Sequence, residues 1–173
     1  VIKKTKRRFN WLLLNLLTAI IASIVIGFFQ EDIEKVVALA VLMPIVASMG
    51  GNAGMQTLAV TIRTIATNQL TKNNFSQNIV KEFLIGILNG IIFAIISAIV
   101  VYIWFNDTTL SLIIAISMVL NMIVAGLFGI VIPIALKKVN IDPAIASSVF
   151  VTTITDVIGF LSFLGIGALL YYN

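Results

Sequence analysis

The sequence predicts an all-α membrane protein that crosses the bilayer five times, and three observations carry that prediction. Hydrophobic residues fill 60% of the 173 positions and charged residues only 10%, against roughly a quarter charged in an ordinary soluble domain. Five apolar runs each reach the length of about 20 residues that a spanning helix needs. Basic residues fall almost entirely on one of the two sets of polar segments between those runs.

A basic arm opens the chain. Lys3, Lys4, Lys6, Arg7 and Arg8 account for more than the whole net charge of +4, so the basicity is a local membrane-edge feature and gives no reason to expect nucleic acid as a partner. The apolar run behind the arm is too long for a signal-peptide core and lacks a clean cleavage site. The first span is expected at 11–29, followed by QEDIEK. The second, 36–66, would run about 45 Å as one helix, past a core of about 30 Å, so it must tilt, protrude or break. Pro44 and the GGNAG run at 50–54 are where a break is cheapest; irregular backbone there would have to line a wet cavity. The alternative is that Gly51 and Gly54 simply let helices pack closely.

After NQLTKNNFSQ comes the third span, 79–105, with Gly86, Gly90, Ala94 and Ala98 on one small-residue face. NDTT leads to the fourth, 110–136, where Asn121, Ala125 and Gly129 form another. Both faces read as packing surfaces, with Asn89 and Asn121 as interhelical hydrogen-bond partners and Glu82 paired to Arg63 or Lys81. KKVNID precedes the fifth span, 143–171, with Asp142 as N-cap and Pro143 at the first helical position. With the N-terminus cytoplasmic, the inner side collects ten basic residues and the outer side only Lys35; the positive-inside rule therefore orients the chain N-in and C-out. Trp11, Trp104, Tyr102, Tyr171 and Tyr172 lie near span ends, where interfacial aromatics belong.

The fifth span contains an acid at mid-depth. Asp156 lies 14 residues beyond Asp142, roughly 21 Å along a helix. An ionised carboxylate there costs about 2.5–3.5 kcal/mol on insertion scales, so it calls for a cavity or a cationic partner, and no Lys or Arg sits at that depth. Thr152 at i−4 and Gly159 at i+3 share its face, with Ser148 a turn away. Oxygen donors in a chain with neither Cys nor His suit a hard cation such as Mg²⁺ and disfavour zinc, copper or nickel. One carboxylate balances only half of a divalent charge; a homodimer with Asp156 beside its twofold axis would supply two. A cation-coupled carrier using Asp156 as a proton or sodium site is the rival reading, and a non-transporting scaffold a third. No Walker loop, Ser/His/Asp set or paired-carboxylate spacing indicates an enzyme.

At these residues the sequence resembles the membrane domain of the MgtE family of magnesium channels and transporters. The matching stretches are RRFNWLLLNLLTA at 7–19, MPIVASMGGNAGMQ at 43–56 and IDPAIASSVFVTTITDVIGFLSF at 141–163, and the likeness covers essentially the whole chain. It implies a homodimer in the bacterial inner (plasma) membrane, with the second and fifth spans of both copies lining a pore at the twofold axis. Asp156 from both copies would hold a largely hydrated Mg²⁺, helped by the backbone at Thr152 and Gly159, with Asn52 facing the same pore. Asp142 would join a metal site at the cytoplasmic mouth that helps hold the pore closed; a plain N-cap before Pro143 is the alternative. Two departures stand out. Ser147, Ser148 and Val149 replace a Ser-Gly-Pro turn frequent in the family, and the family's soluble sensor modules have no counterpart here. The expected division is thus a juxtamembrane arm at 1–10, resembling the end of a connecting helix, and a pore domain at 11–173, with gating by intracellular Mg²⁺ weak or lost.

Overall fold

The computed structural model describes residues 2–69 and 74–172, at 2–4, 6–8, 145 and 172 the backbone alone. Lys72 and the side chains of Lys3, Lys4, Lys6, Arg7, Arg8 and Tyr172, used in the sequence argument, lie outside the described residues. Six helices follow one another: α1 (Ile2–Gly27), α2 (Gln30–Lys35), α3 (Val37–Ala66), α4 (Phe75–Phe105), α5 (Thr108–Lys138) and α6 (Pro143–Tyr172). All but α2 are long and apolar enough to cross a membrane, which agrees with the five expected spans. The backbone of the arm is helical and continuous with the first span, and QEDIEK folds as the short α2.

The expected break in the second span does not occur. α3 is one helix of 30 residues, unbroken through Pro44 and GGNAG. Glycine weakens a helix mainly in water, where backbone groups have another partner; inside a bilayer they must be satisfied within the helix, which favours continuity. Packing adds to this. A Cβ on Gly50 would lie 2.1 Å from Asn121 Nδ2, and one on Gly54 would lie 2.6 Å from Val151 Cγ1. The glycines thus seat α3 on α5 and α6. Close packing was the alternative reading, but Gly50 takes the place given to Gly51, whose Cβ would meet nothing nearer than Thr155 Oγ1 at 4.0 Å.

α5 is the central helix, packed by α3, α4 and α6. Against α4, backbone meets backbone: a Cβ on Gly86 would come within 2.9 Å of the Met122 carbonyl oxygen, and one on Gly126 within 2.8 Å of the Glu82 carbonyl oxygen. Against α3, Gly129 leaves room for Thr57 and for the Gly54 carbonyl. Small-residue faces on the third and fourth spans therefore pack as expected. A core of Leu39, Leu42, Val46, Ile113, Ile114, Phe163 and Leu164 locks α3, α5 and α6 together. α1 leans chiefly on α6, with Ala22 its buried side chain among the described residues.

Three helices stop in the same way. Asn68, Asn106 and Asn140, just past the ends of α3, α4 and α5, have φ of 54°, 52° and 58°. Asparagine tolerates this left-handed conformation better than other residues with a Cβ, so it closes a helix where glycine otherwise would.

Candidate functional site

α6 begins under the control of Asp142. Its Oδ1 accepts from the Ala144 amide at 3.0 Å and its carbonyl from the Ala146 amide at 3.3 Å, so Asp142 is the exposed N-cap of this helix. Further along, threonine hydroxyls turn back onto the helix itself: Thr152 donates to the Ser148 carbonyl at 2.9 Å, Thr153 to Val149 at 2.6 Å and Thr155 to Thr152 at 3.0 Å. With their protons so used, these hydroxyls retain oxygen lone pairs as acceptors.

Asp156 is half-buried and lines a groove of about 1040 Å³ between α1, α3 and α6. Ser148, Thr152 and Thr153 share that wall; Met55 comes from α3, and Asn15 and Thr18 from α1. Among the described residues no base or hydrogen-bond donor reaches the Asp156 carboxylate. Nor does any group of three or more Asp, Glu, His or Cys come together among them, so one copy offers a cation a single charge and a set of neutral oxygens.

The other expected residues stand elsewhere. Gly159 turns its Cα toward α5, where a Cβ would meet Asn121 Nδ2 at 2.7 Å, and it is not among the groove-lining residues. Asn52 is exposed on the outer side of α3, donating to Ser48 Oγ at 3.3 Å. Asp142 is at the far end of α6. Sequence reasoning missed Asn15 and Thr18; a carboxamide alone in the apolar first span is the signal that pointed to them. It also misassigned Glu82. Its carboxylate accepts from Thr57 Oγ1 at 2.9 Å, and no ion pair joins it to Arg63 or Lys81, both exposed, among the described residues.

Bundle and groove together define a polytopic membrane protein with an acid-bearing cleft among its spans. Residues 43–166 match the MgtE family, described as divalent cation transporters, and the chain belongs to that family. It is 38% identical over 160 residues to the magnesium transporter MgtE of Bacillus subtilis, covering 92% of this chain and 36% of that protein. The magnesium transporters MgtE of Thermus thermophilus and Enterococcus faecalis are 32% and 30% identical over 94% and 97% of the chain. The chain spans 36–37% of the length of these relatives.

Proposed function

We propose that the chain forms the membrane pathway of a magnesium transporter and passes largely hydrated Mg²⁺ down its electrochemical gradient, with a second copy completing a pore at a twofold axis. The observation that carries this reading is Asp156, a carboxylate at mid-span that has no partner among the described residues and lines a groove of about 1040 Å³. An acid at mid-span with no base beside it calls for a cationic passenger, and all three relatives described above are named magnesium transporters. Mg²⁺ sheds its waters reluctantly and is commonly held through them by one or two carboxylates. Two facing copies of Asp156 would supply the charge, Thr152 and Ser148 acceptor oxygens for the ion's waters, and Asn52 part of the remaining wall, while Gly159, packed on Asn121, would hold α6 in place behind it. Asp142, the cap at the other end of α6, would serve the cytoplasmic mouth. The pore domain would be 11–173, in a bacterial inner membrane with the N-terminus inside. The membrane potential then drives uptake by about 4.6 kcal/mol per 100 mV for a doubly charged ion.

Mg²⁺ uptake into proteoliposomes tests this. Asp156→Asn is expected to abolish uptake while insertion and folding persist, and uptake in the native chain should need no opposing ion gradient. Unchanged flux in the variant overturns the assignment of Asp156. Flux that collapses once a proton or sodium gradient is dissipated overturns the channel reading in favour of a coupled carrier.

A further inference from the structure

We propose that the cavity between α3 and α4 is a second cation site, distinct from the Asp156 groove, that holds one hard monovalent cation of the sodium type. This cavity, of about 190 Å³, has Gln56 and Thr57 on one wall, Glu82 and Asn89 on the other, and Met122 and Gly126 of α5 as its floor. That space is ample for several waters, or for an ion with part of its hydration shell. The polar side chains offer one carboxylate, one hydroxyl and two carboxamides. Oxygen donors of this kind select hard cations over zinc or copper.

Charge decides the valence. Glu82 lies seven residues into α4, roughly 10 Å along its axis and just within the inner edge of the span expected at 79–105. What meets its carboxylate is the Thr57 hydroxyl, at 2.9 Å. Neighbouring Lys81 and Arg63 are exposed and form no ion pair with it among the described residues. An acid within a span and without a base marks a functional position with a partner to be named. One carboxylate cancels one positive charge, whereas a bare divalent ion would leave an unbalanced charge in surroundings that solvate it poorly. The α4 wall is also fixed: a Cβ on Gly126 would come 2.8 Å from the Glu82 carbonyl oxygen, so α4 rests directly on α5. An ion bridging Glu82 to Thr57 would in turn tie α3 to that platform, and Met55 of α3 lines the other groove.

Equilibrium binding of radioactive sodium to the purified full chain in lipid nanodiscs tests the proposal, with N-methylglucamine, a bulky organic cation rather than a small hard one, replacing sodium at constant ionic strength. The native chain is expected to bind about one sodium ion saturably. Glu82→Gln keeps the shape but removes the charge and should weaken binding by about tenfold or more. Thr57→Val, isosteric but without the hydroxyl, should also weaken it, while Thr57→Ser and Asp156→Asn should leave it unchanged. Asn89→Leu, at an exposed position, is expected to weaken binding as well and replaces the Glu82 variant if that one fails to fold. The absence of saturable binding in the native chain overturns the site, as does native affinity in Glu82→Gln. Binding lost in Asp156→Asn but kept in Glu82→Gln moves the ion to the groove and also overturns it. Magnesium uptake by Asp156→Asn reads the Asp156 proposal separately, so either can fail alone.

Discussion

Asn121 is the side chain on which three helices converge. It is fully buried, it donates through Nδ2 to the Val46 carbonyl of α3 at 2.8 Å, and its Oδ1 has no hydrogen-bond partner among the described residues. Gly50 of α3 and Gly159 of α6 lie directly against it; a Cβ would come within 2.1 Å at the first and 2.7 Å at the second. Because α3 and α6 border the Asp156 groove, this wedge sets their separation. Gly50→Ala should therefore destabilise the chain by about 1–3 kcal/mol, the usual cost of overpacking a close-packed site, and lower its melting temperature in detergent. Asn121→Ala alone should also destabilise, but the pair should lose less than the two single changes added together, because the second removes what the first strikes. Additive losses would mean that the contact does not govern the crossing. Gly51→Ala, whose Cβ would meet nothing nearer than Thr155 Oγ1 at 4.0 Å, is the tolerated control. Spacing made the Asn121, Ala125 and Gly129 face legible in the sequence, whereas which glycine of GGNAG it meets depends on the rotation of α3, and composition carries no rotation. The same limit explains why Asp156 and Thr152 share a groove while Gly159, on a neighbouring part of the same helical face, packs inward.

Helix ends were the easiest features to read, because their chemistry is local. Three of the four expected loops contain the asparagine that ends a helix, QEDIEK being the exception, and Asp107 caps α5 by accepting from the Leu110 amide at 3.0 Å. A long-range partner was not legible: Tyr171, at the end of α6, donates its hydroxyl to Asp107 Oδ2 at 2.5 Å and so ties the last helix to the α4–α5 turn. Burial alone would raise the Asp107 carboxyl, but the Tyr171 hydroxyl and the Leu110 and Thr109 amides outweigh it and hold the group below its ordinary value of 3.8. A carboxyl depressed in the folded state binds fewer protons there than in the unfolded chain. Its stabilisation is thus present in full above the ordinary value and is lost as the pH falls through the folded one. Asp107→Asn keeps a good cap and removes the charge. Its melting temperature should lie below that of the native chain at neutral pH, and the gap should close as the pH falls below the ordinary carboxylate range, where the native carboxyl at last takes up its proton. Tyr171→Phe should lower the melting temperature and flatten the same pH dependence. A gap that stays constant with pH would show that the Asp107 charge contributes nothing to the clamp.

Apolar composition and charge asymmetry were enough to read the membrane class and the five spans, since both follow from what a bilayer tolerates. The continuity of α3 was not legible, because a glycine run that breaks a helix in water need not do so where the backbone has no other partner. Continuity changes what α3 presents outward. Along one face it carries Ser48 and Asn52, hydrogen-bonded to each other, and Asn52 is exposed although it lies 15 residues into a span that begins at Val37. Lipid tails give a carboxamide at that depth no partner, so this face calls for protein or water, and a second copy related by a twofold axis would meet it with the same face. The outer face of α4 differs. Ile95, Ile99 and Ile103 are 56%, 55% and 77% exposed there, and such a stripe is at home against lipid. The chain has no native cysteine, so single cysteines placed on the two faces report contacts without background. In membranes treated with a short bismaleimide, Asn52→Cys should give a covalent dimer and Ile99→Cys should remain a monomer. If the Ile99 variant couples and the Asn52 variant does not, the copies meet through α4, and the two Asp156 carboxylates cannot face one another across α3 and α6.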